Sequence, residues 1–529
     1  MSQGPDIDRR RLLQLAAALA AGSALSAHAQ PRKWAGDPFT LGVASGTPLA
    51  DSVVLWTRLL EPDRFEALAE RALPVRWELA HDEQFSRIAR SGETLALPEL
   101  GHSVHVEVDG LAPDRHYFYR FISGAALSPV GRTRTLPAPD AAVQKLRLAY
   151  ASCQRWEHGY YGAYRHMREE NVDLVMFLGD YIYEYPNATA AVRSFPTLGW
   201  VRTLDEYRDR HALHRSDPDL QAMHAACPWL LTWDDHEVQN DYAADQPGDD
   251  FPLGLNSAAD FAARRAAAYQ AYYEHMPLRA ADVARALGGA SAAPELRLYS
   301  SRRFGRLADL MLLDTRQYRD PSLCGRPRRP GASVDPAACA YWDEPARSLL
   351  GPPQEQWLDQ ALARAGAAWT VIGQQSVFGA RDNLPGPGER FWNDSWDGYA
   401  PARRRVTDAL QRHQIANPVL LGGDVHENWV GHVKADYRRP DSAVLGVEFC
   451  GTSITSRSKD PAKVAGRLAE NPHFVLADGR RRGYGVVDLT PQRLTTRLRV
   501  LNDATRRDAR VETLARFTVE AGHPQLVPD

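Results

Sequence analysis

Six short apolar runs, each stopping abruptly at polar or metal-capable side chains, constrain this chain more than any other feature of its sequence. The clearest two lie between Leu146 and Tyr185. Leu146 to Ala151 alternates like a strand and stops at Ser152-Cys153-Gln154, whereas Val172 to Leu178 is continuous, like a strand buried on both faces, and stops at Gly179-Asp180. Between them Tyr160, Tyr164 and Met167 fall at helical spacing. The pattern is that of a βαβ unit, whose right-handed crossover brings both strand ends to one edge of a parallel sheet. Functional groups of such sheets lie beyond the carboxyl ends of the strands. Cys153, Asp180 and Tyr183 are therefore expected to meet there.

The other four runs repeat the pattern. Trp229 to Trp233 ends in Asp234-Asp235-His236-Glu237, with Asn240 close behind, and Leu307 to Leu313 ends in Asp314-Thr315-Arg316. Trp369 to Gly373 ends in Gln374-Gln375, and Pro418 to Leu421 ends in Gly422-Gly423-Asp424-Val425-His426. A two-layer sheet arrangement with flanking helices places all such ends together. Upstream, from Phe39 to about Pro139, the pattern is strand throughout, with Val75, Trp77 and Leu79 alternating and then Tyr117, Tyr119 and Phe121. This portion resembles an immunoglobulin or fibronectin type III sandwich and carries no convergent polar cluster. The expected division is a leader over 1–29, an N-terminal β-sandwich over 30–139 and a catalytic domain over 140–529. The aromatic stripe of Phe261, Tyr269, Tyr272 and Tyr273 reads as helix packing. Asp241 to Leu255 reads as an acidic loop or lid, and Thr513 to Val519 as a short terminal helix.

The first residues read as an address. Arg9-Arg10-Arg11 precedes an apolar run from Leu13 to Leu25, and Ala27-His28-Ala29 offers a small-x-small cleavage site. The run is too short to span a bilayer, so the expectation is a twin-arginine signal that engages the Tat export machinery, with no transmembrane anchor after cleavage and a periplasmic or secreted product. The formal net charge of −3 provides no footprint for nucleic acid. Five cysteines, at 153, 227, 324, 339 and 450, leave at least one unpaired. Cys324 and Cys339 flank a Pro/Gly/Arg-rich loop and are the expected disulfide, which leaves Cys153 as a candidate thiolate ligand or a buried apolar cysteine.

Asp180, Asp235, Asp424 and His426 are oxygen and nitrogen donors that suit divalent or trivalent cations, while Cys153 and Tyr183 favour a more Lewis-acidic ion such as ferric iron. Mixed donors of this kind point to two unlike metals, and paired metals activate a water for in-line attack on phosphorus. His236 is left over, suited to protonating a leaving oxygen.

At these residues the chain resembles a PhoD-type alkaline phosphatase/phosphodiesterase, a branch of the calcineurin-like metallophosphoesterases. The resemblance rests on Ala151-Ser152-Cys153-Gln154, Gly179-Asp180-Tyr181-Ile182-Tyr183-Glu184, Trp233-Asp234-Asp235-His236-Glu237, Asp314-Thr315-Arg316-Gln317-Tyr318, Trp396-Asp397-Gly398-Tyr399 and Gly423-Asp424-Val425-His426. It implies a two-layer metallophosphoesterase β-sandwich flanked by helices and preceded by a small all-β domain, in a monomer that hydrolyses phosphate mono- and diesters. It further implies Fe3+ held by Cys153, Asp180, Tyr183 and His426, with Asp180 bridging to Ca2+. Asp235 stands where the superfamily places an asparagine ligand, His236 takes the transition-state role, and Asn240 and Asp424 complete the metal set. The superfamily's usual first Asp-x-His is replaced here by Ser152-Cys153, and a late histidine by Gln375 and Asp424, which argues against a standard di-zinc or di-manganese site. The alternatives are a phospholipase D-like diesterase and a periplasmic redox metalloprotein.

Overall fold

The computed structural model describes residues 33–61, 68, 71–194, 199–249, 257–281 and 296–529. The expected leader lies outside the described residues, as does the part of the acidic loop from 250 to 255. The chain divides into two compact units. One comprises residues 1–135, 203–229 and 266–298; the other comprises residues 136–202, 230–265 and 299–529.

The first unit is built on the strands anticipated upstream. Leu73–Ala80 pairs antiparallel with Ile88–Ala96 on one side and His116–Ser123 on the other. Val53–Arg58 lies between Val43–Gly46 and Ser103–Val108. Alternation decides which side chains turn inward: Tyr117, Tyr119 and Phe121 are buried with Val53, Leu55, Val75, Val104 and Val106 in one core. Two helices, Leu204–Arg215 and Pro218–Ala226, belong to the same unit. The first opens on a capping box in which Thr203 and Glu206 satisfy each other's backbone amides.

The second unit is mixed α/β. One sheet runs through His523–Pro528, Val511–Glu520, Arg493–Leu501, Arg482–Leu489, Leu146–Ala151 and Leu174–Leu178 to the strand Trp229–Thr232. The other runs through Ser300–Phe304, Ala308–Leu312, Trp369–Gly373, Pro418–Gly422, Val444–Cys450, Asn428–Lys434 and Phe474–Asp478. Leu148, Tyr150, Met176 and Leu178 from the first sheet share a core with Leu310, Leu312, Val371 and Leu421 from the second. The βαβ reading holds: Leu146–Ala151 pairs parallel with Leu174–Leu178, and the helix Gly162–Glu169 connects them with Tyr164 and Met167 buried. In the second sheet, Ala308–Leu312, Trp369–Gly373, Pro418–Gly422 and Val444–Cys450 are parallel neighbours, so their carboxyl ends fall on one edge. Gln375 ties the two sets of ends together, its Nε2 donating to the Trp233 carbonyl at 2.7 Å and the Leu313 carbonyl at 3.0 Å.

One expectation is overturned. Thr513 to Val519 is not helical but lies within the strand Val511–Glu520, paired with Arg493–Leu501 and His523–Pro528. Phe517 and Val519, two residues apart, enter the common core from this strand. Tertiary pairing outweighs the weak local helical signal. The Cys324–Cys339 disulfide is formed, and Cys153, Cys227 and Cys450 are free and buried.

Candidate metal centre

Three of the six polar clusters turn sharply as their strands end. Cys153, Asp180, Asp424 and His426 all adopt left-handed backbone conformations, with φ of 59°, 59°, 64° and 58°. Such conformations cost a non-glycine residue about 1 kcal/mol or more and persist where surrounding structure dictates them. Here the dictating contacts are backbone bonds between adjacent strand ends: Cys153 N–H donates to the Gly179 carbonyl and Gln154 N–H to the Asp180 carbonyl, both at 3.0 Å. Gly179, at φ 104°, passes so close to the next strand end that a Cβ there would lie 2.5 Å from the Asp234 Cβ. Only glycine fits, and Asp180 is thereby swung over the edge.

Asp180 is the hub. A carboxylate oxygen of Asp180, Cys153 Sγ and a His426 ring nitrogen lie within 4.8 Å of one another, and Asp180 forms a second group of the same size with Asp235 and His236. Tyr183 joins the first group: its hydroxyl is 2.8 Å from Asp180 Oδ2, 3.3 Å from His426 Nε2 and 2.7 Å from Ser456 Oγ. His426 Nδ1 is 2.9 Å from the Arg457 carbonyl, a bond that requires the proton on Nδ1 and leaves Nε2 as an electron-pair donor toward the group. Asp180 Oδ1 is buried without any hydrogen-bond partner. A third group joins Asp235 to Asp241 and Asp394.

The remaining expected residues sit differently. Asn240 donates through Nδ2 to Asp241 Oδ2 at 2.8 Å, and its backbone N–H donates to Glu184 Oε1 at 2.6 Å. Asp424 stands outside all three groups, yet its charge bears on Cys153, Asp180 and Asp234. His236 Nδ1 lies 2.7 Å from the fully buried Glu184 Oε2, which leaves Nε2 as the ring nitrogen not engaged by Glu184.

Several contributors carried no assigned role in the sequence. Glu237 accepts backbone hydrogen bonds from Asp180, Tyr181 and Asp234 at 3.1, 2.5 and 2.8 Å, clamping two strand ends together. Arg316 bonds Asp234 through Nε and Asp394 through Nη1, the latter at 2.6 Å, and stands 3.6 Å from Asp235. The Arg155 guanidinium carbon lies over the Tyr183 ring, 3.8 Å from its centroid. Glu184, Glu237 and Arg316 at least belong to legible polar clusters. Asp241 lies within the loop read simply as acidic, and nothing local distinguishes Asp394 from other loop aspartates.

Electrostatically the site is short of positive charge. Burial, and then the carboxylates of Asp235, Asp234, Glu237 and Asp424, push the Asp180 carboxyl far above the usual range. Burial followed by Asp180 does the same to the Cys153 thiol and the Tyr183 phenol. Burial would also raise Asp235, but Arg316 and His236 outweigh it and hold that carboxyl low. Burial, and then Arg482, lowers the His426 imidazole and favours its neutral, ligating form. Buried carboxylates need compensating charge. Anionic or neutral donors around an unpartnered Asp180 oxygen fit a bound cation.

The sequence model of the PhoD-like phosphatase family matches residues 148–498, and that of the PhoD-like phosphatase N-terminal domain matches residues 24–137. The chain belongs to the PhoD-like phosphatase family. Alkaline phosphatase D of Bacillus subtilis (strain 168) is 43% identical over 538 residues, spanning 98% of this chain and 88% of that protein. A solved structure described as the structure of PhoD superposes with a TM-score of 0.85 at 43% identity, covering 94% of this chain and 93% of that one. This PhoD-like chain is therefore a phosphoesterase, a hydrolase acting on phosphoric ester bonds.

Proposed function

We propose that this PhoD-like phosphatase hydrolyses both phosphate monoesters and diesters, with Fe3+ and Ca2+ as the metals its site would hold and Asp180 among the ligands of each. The observation that carries the reading is the double membership of Asp180. It shares one group with Cys153 and His426 and another with Asp235 and His236, and it retains a buried oxygen without a partner. Cys153, Asp180, Tyr183 and His426 would hold the ferric ion. Asp180 and Asp235, with Asn240 and Asp424, would serve calcium, and the third group adds Asp241 and Asp394 as carboxylates within its reach. Metals bound there supply an activated water and positive charge for the phosphoryl oxygens. The protein's own part is orientation and proton delivery: Glu184 holds His236 by Nδ1, so that Nε2 is aimed to protonate the departing oxygen.

We assign the second unit to the two-layer metallophosphoesterase sandwich on the strength of its shared core, and the N-terminal sequence domain, over 30–139, to the immunoglobulin-like class. Supporting the latter, the Tyr117 hydroxyl accepts from the Ala112 N–H at 3.0 Å, the bond of a tyrosine corner. The catalytic domain follows over 140–529, in a monomer exported through the Tat machinery to the periplasm or beyond. Among the described residues no helix is long and apolar enough to cross a membrane.

The test is turnover of p-nitrophenyl phosphate beside bis(p-nitrophenyl) phosphate, with metal content measured by mass spectrometry before and after chelation. Cleavage of both esters, lost on chelation with one iron and at least one calcium released, is expected. Metal-loaded protein that cleaves neither ester would end the reading.

A further inference from the structure

We infer that Lys459 is a substrate-binding cation at this site and favours the dianionic phosphate of monoesters over the monoanionic phosphate of diesters. The inference rests on the phosphoesterase reading above. Lys459 is exposed, and its ammonium lies 5.1 Å from the centroid of the Trp392 ring. That contact joins two segments which each deliver a group to the centre. Two residues beyond Trp392, Asp394 belongs to the third carboxylate group; three residues before Lys459, Ser456 bonds the Tyr183 hydroxyl. The Lys459 segment is further fastened by Ser458, whose Oγ donates to Glu427 Oε1 at 2.9 Å, next to His426. The ammonium is thus carried on a braced loop, laid over an indole that holds a cation without neutralising it.

Its charge reaches the centre. After burial and Arg482, Lys459 contributes to the lowering of His426, and after burial and the neighbouring carboxylates and Arg316 it acts on Asp241. The three arginines that act with it on His426 and Asp241, Arg482, Arg155 and Arg316, are already engaged. Arg316 is committed to Asp234 and Asp394. Arg482 donates to the carbonyls of His426 and Ser456 at 2.7 and 2.5 Å, and Arg155 donates to the Tyr185 carbonyl at 3.0 Å while packing on the Tyr183 ring. Lys459 alone among these has no protein oxygen as partner, and its neighbour Asp460 turns to Lys463 and Arg467 instead. An ammonium so placed gains most from the substrate phosphate with the greater charge.

Replacement of Lys459 by Met tests this, with Lys459→Arg as the conservative variant and Trp392→Leu as the loosened one. In metal-loaded protein of unchanged metal content, K459M is expected to lower kcat/KM for p-nitrophenyl phosphate about tenfold and for the bis ester about two- to threefold. Calorimetric binding of inorganic phosphate should weaken by about the same tenfold. K459R should restore most of both, and W392L should fall between. Equal loss on the two esters, or unchanged phosphate binding, overturns the assignment. Wild-type protein that cleaves neither ester defeats the phosphoesterase reading instead, and the phosphate titration still decides the role of Lys459.

Discussion

Replacing Glu184 by Gln should expose the role of the histidine it holds. In the native protein the carboxylate oxygen Oε2 lies 2.7 Å from His236 Nδ1, in a place where Glu184 is wholly buried and His236 nearly so. A buried, charge-assisted bond of that length contributes about 1.5–3 kcal/mol. Glutamine preserves the shape but not the charge, and its amide can as readily donate to Nδ1 as accept from it, so the ring loses both its fixed tautomer and the counter-charge for the positive charge it carries while delivering a proton from Nε2. If the whole contribution is spent in the transition state, turnover falls roughly 10- to 150-fold. The loss should depend on the leaving group. A proton donor matters most for a poor one, so rates across substituted phenyl phosphates should diverge, with alkyl esters suffering fully and p-nitrophenyl esters least. Metal content must stay constant, because Glu184 Oε1 also accepts from the Asn240 N–H at 2.6 Å. A uniform loss across leaving groups would refute the reasoning, as would an undiminished effect of E184Q in a His236→Ala background, where the coupling should vanish.

Three further outcomes follow from the packing. Arg316→Met leaves Asp234 and Asp235 without their guanidinium, Asp394 keeping Arg319 at 2.8 Å, and should cost the metal-free protein about 3–5 kcal/mol in urea unfolding; a loss below about 1 kcal/mol would mean the cluster finds other compensation. Glu448 accepts from the Phe378 and Gly379 N–H groups, but burial raises its carboxyl from 4.5 to about 7. A raised folded pKa gives stability that is fully present below pH 4.5 and is lost as pH rises to about 7, on the order of 3 kcal/mol across that window. The urea midpoint of Glu448→Gln should lack that part of the pH dependence, and parallel curves for the two proteins would contradict it. Reducing the Cys324–Cys339 bond, which closes a loop with a sequence separation of 15, should cost about 3 kcal/mol, read as a drop in Tm that a Cys324→Ser/Cys339→Ser variant reproduces. An unchanged Tm in the double variant would mean that the local hydrogen bonds around Asn393 already fix this loop.

Local pattern was enough to read the strands that carry the centre, because a buried parallel strand must be an apolar run and its end must be polar. Leu146–Ala151, Leu174–Leu178, Ala308–Leu312, Trp369–Gly373 and Pro418–Gly422 were all legible on that ground, as was the meeting of Cys153, Asp180 and Tyr183; His426 joined them only through the family resemblance, and the disulfide was read from the loop that its cysteines flank. The terminal strand Val511–Glu520 was not, since its conformation is decided by antiparallel neighbours rather than by its own residues. Nor could sequence reveal that Cys153, Asp180, Asp424 and His426 adopt left-handed backbone, which follows from bonds between strand ends far apart in the chain. Partnership across distance is likewise invisible to local pattern. Glu184 meets His236 across 52 positions, Arg316 meets Asp394 across 78, and Lys459 rests on Trp392. Sequence determines which donors lie at each strand end, because that depends on neighbours along the chain. Only the tertiary structure decides which donors come together and which charge lacks a protein partner, because Coulomb energy depends on separation in space and on burial.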